Sequence, residues 1–343
     1  MKTEHIVIKS ADDADNIDRV AEILKRGGTV AIPTETVYGL GADATNPDAV
    51  RKIFEAKGRP QDNPLIVHIS SLDMLHDITS SLPPLAEELC EKFWPGPLTV
   101  ILPRSEKIPK EVSAGLDTVA VRFPSHPIAR AIISRAGLPI AAPSANLSGS
   151  PSPTTAQHCI NDLEGRVNAI VISDDCSVGV ESTVITLCTD VPRLLRPGAV
   201  TPEQLRSVLP KIEIDSAVTA EPEKGKPVAS PGMKYKHYSP KTKVILIRGT
   251  KENYINFVNS KISQKGAFAL CFREDAESIK IPCVCYGGMN DELSQANGLF
   301  SALRQLDENG ATVAYAHSPE LAGVGLAVYN RLIRAAAFEE IFV

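Results

Sequence analysis

Residues 29–69 read TVAIPTETVYGLGADATNPDAVRKIFEAKGRPQDNPLIVHI, and apolar runs alternate here with hydroxyls, glycines and paired cations. Residues 29–32 have the composition of a short buried strand, which Pro33 ends because it lacks a backbone donor. The strand therefore delivers Thr34 and Thr36 at its open end. Gly39 and Gly41 suit a crowded loop at that end, and residues 47–56 predict a helix with proline in its first turn and Val50, Ile53 and Phe54 on its apolar face. Lys57-Gly58-Arg59-Pro60 then sets a flexible residue between two cations, with a proline to stop the helix. Two readings are open for this pair. One is a solvated helix C-terminus, where the macrodipole favours cations; the other is a grip on an anion. Asn63 before a second proline and hydroxyl-bearing strand ends on both sides favour the grip. Residues 65–69 form the next apolar strand and carry His68 back to the same edge, where open α/β sheets bind ligands.

Around this stretch the chain has the length for two domains and, at 43% hydrophobic and 22% charged residues, the make-up of an ordinary globular protein. A formal charge of −5 argues against a phosphate backbone as the main partner and fits a small anion held in a local cationic pocket. The first residues, MKTEHIVIKSADDADNID, are studded with charge, and no apolar run has the length of a membrane span, so a cytoplasmic location is expected. Seven cysteines lie scattered from Cys90 to Cys285 without a C-x-x-C knuckle. Cys283 and Cys285 read as two thiols on one face of a short strand, and neither a zinc site nor a disulfide framework is expected.

Taken in order, residues 6–8 read as a strand and Ile17, Val20, Ala21 and Leu24 as the apolar face of a helix ended by Gly27-Gly28. Helices are predicted near 72–75 and 85–93, then a rigid Trp94-Pro95-Gly96-Pro97 corner with Trp94 as packing, then a strand over 98–102. The apolar strand 119–123 is interrupted by Arg122, which lies either on an exposed face or against an anion. A helix over 127–136 and a strand over 138–142 lead into Pro143-Ser144-Ala145-Asn146-Leu147-Ser148-Gly149. That stretch is either a plain polar loop or one whose small donors approach phosphate oxygens. Residues 169–172 form a strand; Glu181, Ser182 and Thr183 enter another and have the character of edge-strand residues. Arg196 precedes a Pro-Gly turn, from which it can point into the mouth of the sheet, and a helix over 202–209 closes the first domain.

Residues 1–210 thus form one α/β domain, and 211–241, rich in proline, glycine, serine and lysine, have linker composition. Met233, Tyr235, His237 and Tyr238 are out of place in a free spacer, and residues 230–240 are expected to fold over the pocket as a lid. Residues 242–343 alternate strands over 244–247, 267–272 and 312–315 with helices over 254–262, 293–306 and 325–337, the pattern of a small Rossmann-like parallel layer. Gly287-Gly288 makes no dinucleotide fingerprint, and no nucleotide site is assigned there.

PTETVYGLGADA and KIFEAKGRPQDNPLIVHI resemble the opening signature of the YrdC/YwlC family, the L-threonylcarbamoyladenylate synthases. The likeness continues through WPGPLTVIL, VAVRFP, PIAAPSANLSG, GVESTV and LLRPGAV, and SPGMKYKHYSP resembles the linker of the longer, two-domain members. The resemblance implies a YrdC-like twisted mixed sheet. It also implies a reaction in which L-threonine, bicarbonate or CO2, and ATP give threonylcarbamoyl-AMP and pyrophosphate, a nucleotidyl transfer. The product would serve downstream proteins that modify adenosine beside the anticodon of tRNA; direct tRNA contact is left open.

Carried over by motif, Lys57 and Arg59 would be catalytic and would bind ATP with Asn63, Thr118, Ser144, Asn146, Ser152, Arg196, Tyr235 and His237. Thr36, His68, Arg122, Ala142 and Ser182 would surround L-threonine. Magnesium would arrive with ATP, with Ser144 as its possible protein ligand. The chemistry needs no covalent nucleophile, and His68 is expected to orient rather than act as an obligatory base. Two rivals stand beside this reading. An RNA-binding module is disfavoured by the acidic charge and sparse aromatics, and a carbamoyl-adenylate-handling transferase would carry cysteine-rich zinc segments.

Overall fold

Hydrophobic runs too short to be helices collect into two sheets in the computed structural model, which describes residues 1–221 and 238–343. The first sheet has eleven strands among the described residues, ordered Glu4–Val7, Ala169–Ile172, Val30–Ile32, Gly39–Asp43, Ile140–Ala141, Ile66–His68, Thr118–Arg122, Leu98–Pro103, Thr183–Thr186, Arg193–Arg196 and Glu213–Ile214. Parallel and antiparallel pairings mix within it, the mixed sheet that the family resemblance implies. The second sheet has five strands, all parallel, in the order Cys283–Gly287, Ala267–Phe272, Val313–His317, Lys243–Arg248 and Glu340–Phe342.

Local sequence explains most helices. Helix Ala14–Lys25 buries Ile17, Val20, Ala21 and Leu24, the face its periodicity selects. Helix Pro47–Lys57 starts where the Asn46 side chain accepts from the amides of Asp48 and Ala49, and it stops at Gly58, whose φ of 60° suits a residue without Cβ. It runs one residue further than expected, so Lys57 is its last residue and is buried. A solvated helix end is therefore ruled out for Lys57.

Several expectations need correction. Gly39 and Gly41 lie not in a loop but in a fully buried strand, paired antiparallel with Val30–Ile32 on one side and, beyond Gly41, with Ile140–Ala141 on the other. A Cβ on Gly41 would come within 2.9 Å of Ile140 Cγ2, so this glycine serves close packing between strands. Ile140 is β-branched and stiff, and Gly41→Ala is expected to lower stability by about 1–3 kcal/mol, the usual cost of overpacking. A melting temperature equal to that of the parent chain would refute this. Strand Thr183–Thr186 sits between Leu98–Pro103 and Arg193–Arg196, so Glu181 to Thr183 do not belong to an edge strand. Helix Ala156–Leu163 went unanticipated, as did strand Glu340–Phe342. Glu213–Ile214, within the stretch of linker composition, pairs with Arg193 and Leu194, so the first sheet extends to that point. Tyr235 and His237, and with them most of the expected lid, lie outside the described residues.

In the second domain, strand residues alternate between two cores. Val244, Leu246, Leu270 and Phe272 pack with helices Glu292–Glu308 and Gly325–Ala335; Ile245, Ile247, Ala269 and Cys271 pack with Tyr254 and Val258 of helix Lys251–Asn259. Cys285 Sγ lies 3.9 Å from Cys271 Sγ, and all seven cysteines are free. Helix Gly325–Ala335 is buried along its whole length because its other side meets the first domain. There Asn330 Nδ2 donates to Val218 O at 2.6 Å, while on the neighbouring helix Arg304 forks onto Asp162 at 3.0 and 2.8 Å and Asn297 Nδ2 donates to Cys176 O at 2.7 Å.

Candidate functional site

Strand ends of the first sheet converge on a small, narrow cavity. Of the residues expected in a site, Thr36, Arg59, His68, Arg122, Ala142, Ser144, Ser182 and Arg196 line it. Lys57, Asn63, Asn146, Ser152 and Thr118 do not. The first four lie buried behind the wall, whereas Thr118 opens the strand that Arg122 ends.

The buried arginine in the apolar strand has a carboxylate partner that sequence reasoning missed. Arg122 Nη2 lies 2.7 Å from Glu35 Oε1, both side chains being almost wholly enclosed, and Ser125 N donates to the same oxygen at 3.1 Å. Arg122 Nη1 donates to Thr36 Oγ1 at 2.8 Å and Nε to Gly96 O at 3.3 Å. Thr34 Oγ1 lies 3.0 Å from Thr36 Oγ1 and donates to Val37 O at 2.6 Å, so the PTET segment is a connected polar turn. Burial alone would raise the Glu35 carboxyl, but the adjacent Arg122 charge and hydrogen bond outweigh it and hold the pKa at about 2. The available signal was an acidic residue between two threonines at a strand end.

His68 faces the cavity, and its Nδ1 is buried without a hydrogen-bond partner among the described residues. Burial, and then the Arg122 charge, pull its pKa down to about 3, so the ring is neutral in the folded chain near neutrality. The unfolded ring takes up a proton near pH 6.5, the folded ring only near 3, so the unfolded state binds more protons in between. This contribution to stability is complete above pH 6.5 and declines as the pH falls toward 3. Glu35 adds a decline of the same sign between 4.5 and about 2. Melting temperatures from pH 8 to 4 should therefore fall less steeply for His68→Gln than for the parent chain, whose His126 and His158 are also depressed by burial and supply a residual slope. Parallel curves for the two proteins would contradict a buried neutral His68.

The two signature loops are tied together by Lys57. Its Nζ donates to the carbonyl of Ser144, to Asn146 O at 2.7 Å and to Asn146 Oδ1 at 3.3 Å. Ser144 Oγ in turn donates to Asn146 Oδ1 at 2.5 Å, and Asn146 Nδ2 closes the loop onto Leu147 O and Ser150 O at 2.7 and 2.9 Å. Burial, and then the Arg59 charge, push the Lys57 pKa well below the usual lysine range. The polar loop is thus built and braced from within. Asn63 is 1% exposed, and neither of its amide atoms has a hydrogen-bond partner among the described residues. A desolvated amide left unpaired is costly, and this one lies behind the cavity wall.

On the far wall Arg196 donates to Ser182 O at 3.0 Å and to Ser182 Oγ at 3.1 Å, and Ser182 Oγ meets Thr99 Oγ1 at 2.7 Å. Ser152 Oγ is engaged by Glu181, a wall residue also missed from sequence, and Tyr238 completes the lining. The wall carries three guanidiniums, Arg59, Arg122 and Arg196, and the carboxylate of Glu181, while Glu35 pairs with Arg122 from behind and His68 is neutral, so cations outnumber carboxylates. Such a cavity attracts an anion. Its oxygens are hard donors, and no group of three side chains suited to caging a metal ion occurs among the described residues. No helix among those residues is long and apolar enough to cross a membrane.

A family model described as "Telomere recombination" matches residues 22–198, and one described as "Threonylcarbamoyl-AMP synthase, C-terminal domain" matches residues 200–337. A threonylcarbamoyl-AMP synthase of Bacillus subtilis is 46% identical over 98% of both chains, and one of Pyrococcus abyssi is 43% identical over 94% of both. The crystal structure of P. abyssi Sua5 complexed with L-threonine superposes with a TM-score of 0.92 at 40% identity, covering 99% of this chain and 100% of that one. With both family models matched in tandem and likeness running the whole length of the chain, this protein belongs to the threonylcarbamoyl-AMP synthase family in its two-domain form.

Proposed function

We propose that the cavity is where this threonylcarbamoyl-AMP synthase condenses L-threonine, bicarbonate or CO2, and ATP into threonylcarbamoyl-AMP and pyrophosphate. The carrying observation is the cationic wall, where Arg59, Arg122 and Arg196 outnumber the carboxylates of Glu181 and Glu35, beside a polar turn of Thr34, Glu35 and Thr36. The product would feed the proteins that place the threonylcarbamoyl group on tRNA adenosine at position 37, next to the anticodon.

The threonine nitrogen adds to the carbon of CO2 and releases a proton, giving a carbamate. A carbamate oxygen then attacks the α-phosphorus of ATP, and the bond to the β-phosphate oxygen breaks to release pyrophosphate. Nucleophile and electrophile are both anionic, so their repulsion and the charge growing on the leaving group are what the wall must offset. Arg59 and Arg196 are assigned to the phosphates, together with the donors of the Ser144–Asn146 loop, which Lys57 holds in shape from behind. Asn63 is assigned to the nucleotide side because its amide is desolvated and unpaired. Ser152 contributes through Glu181, and Thr118 is the least direct of the nucleotide assignments because it lies outside the wall.

Arg122 is assigned to the threonine carboxylate. A guanidinium has five N–H donors, of which Gly96, Thr36 and Glu35 engage one each, so donors remain for a substrate. Thr36, Ser182 and Ala142 shape the amino-acid pocket, and neutral His68 offers a hydrogen bond rather than a charge. Magnesium fits as an ion carried by the substrate phosphates, with Ser144 as the protein oxygen nearest in kind; when bound, it supplies neutralisation of phosphate charge.

The test is pyrophosphate release with threonine and bicarbonate varied independently. Release should require both, because the nucleophile is built from both, and equal release with either omitted would reject the mechanism. Serine should show a lower kcat/KM by about 1–3 kcal/mol in barrier, the worth of one methyl in a fitted pocket. Equal specificity for the two amino acids would count against such a pocket.

A further inference from the structure

Arg331 brings a charge of the second domain to the cavity wall. Arg331 is fully buried, and its Nε donates to Glu181 Oε2 at 2.9 Å across the domain boundary. Its remaining donors meet Pro197 O at 2.8 Å, Asn330 Oδ1 at 3.0 Å and Glu181 O at 3.2 Å, and its Cζ lies 5.6 Å from the Tyr238 ring centre. Glu181 and Tyr238 are both wall residues, and Glu181 Oε1 accepts from Ser152. The same domain touches the neighbouring polar loop a second time. Arg304 donates to Pro151 O at 2.6 Å and grips Asp162, which accepts from Leu147 N at 3.3 Å.

We infer that Arg331 is a positioning residue for the nucleotide: from the second domain it neutralises and orients Glu181, the carboxylate in an otherwise cationic wall. This rests on the reading that the cavity receives ATP. An uncompensated carboxylate beside Ser152 and Arg196 would repel the triphosphate and compete with it for Arg196. Burial would by itself raise the Glu181 carboxyl; the charges of Arg331 and then Arg196 reverse that and lower it, which agrees with the geometry. The assignment makes the second domain part of the nucleotide site without touching substrate. It also explains why a buried arginine, costly to enclose, points out of the second domain into the first.

The full-length chain tests this with Arg331→Met, which keeps an unbranched apolar stem and removes the charge, alone and combined with Glu181→Gln. For Arg331→Met the KM for ATP is expected to rise at least tenfold, with the KM for threonine changed less than threefold. Adding Glu181→Gln removes the stranded carboxylate and should return the KM for ATP to within about threefold of the parent value. A folded Arg331→Met with unchanged ATP dependence, or a loss that Glu181→Gln does not relieve, would overturn the inference and leave Arg331 as interface packing. Should Arg331→Met not fold, the double variant and Arg331→Lys carry the test. Each is expected within threefold of the parent for ATP, and a tenfold rise in either rejects the charge argument. Calorimetry of ATP binding alone, run on the same proteins, separates the two levels. A parent chain that binds ATP but releases no pyrophosphate with threonine and bicarbonate would refute the proposed reaction while leaving the Arg331 result readable.

Discussion

Replacing Arg122 with alanine is expected to cut kcat/KM for threonine by at least tenfold to a hundredfold and to destabilise the chain at the same time. The catalytic part follows from losing charge-assisted hydrogen bonds to a carboxylate, worth about 1.5–3 kcal/mol, where about 1.4 kcal/mol is a factor of ten. The stability part has a different origin. Glu35 is 7% exposed and its charge is compensated by Arg122, so removing the arginine strands a buried carboxylate, typically at a cost of about 3–5 kcal/mol. Thr36 would lose its 2.8 Å donor as well. The two effects can be pulled apart by adding Glu35→Gln, which removes the stranded charge but restores no cation for the substrate. The double variant should recover much of the melting temperature and none of the threonine-dependent pyrophosphate release. Recovery of both together would mean that Arg122 acts on the reaction only by keeping the turn folded, and the carboxylate assignment would fail.

The sequence was most legible where structure is local. Helix Pro127–Ala136 could be bounded from residues 127 and 137 alone, because a proline opens its first turn and Gly137 takes the left-handed conformation, φ 63°, that ends it. The helix Ala156–Leu163 had comparable signals that went unread. Thr155 caps it through the amide of His158, and Ala156, Cys159 and Leu163 recur at helical spacing. Strand Gly39–Asp43 could not be found this way. Glycine has little intrinsic preference for a strand, and only the neighbours it must admit, Ile140 and Ala142, explain it. The candidate site divides in the same manner. Arg122 stood out because an arginine in an apolar strand demands a partner, but Glu35 is 87 positions away and no local pattern pairs them. Glu181 and Arg331, separated by 150 residues and a domain boundary, were still further beyond reach.

Arg59→Ala is expected to weaken ATP binding by about tenfold to a hundredfold or more, with little change in melting temperature, and its contrast with Lys57 carries the argument. Both cations flank Gly58, yet they are placed oppositely. Lys57 is 3% exposed and spends its ammonium on the carbonyls of Ser144 and Asn146, whereas Arg59 is half-buried at the cavity wall. Its Nη2 donates to Asn63 O at 3.3 Å and its Cζ lies 5.9 Å from the Phe54 ring, contacts that aim the guanidinium rather than hold a core together. A cation–π contact at so open a position is worth about 0.5–1 kcal/mol, while a charge-assisted bond to phosphate is worth about 1.5–3 kcal/mol, so removal should cost binding more than folding. For Lys57→Ala the order reverses: three hydrogen bonds that shape the loop disappear, and stability should fall together with ATP affinity. Calorimetry with ATP alone and thermal unfolding of both variants read the difference. Unchanged ATP affinity and turnover in Arg59→Ala would return this residue to a cation placed at a helix C-terminus for the dipole alone. A stable Lys57→Ala that has lost only ATP binding would instead make the lysine a direct phosphate ligand.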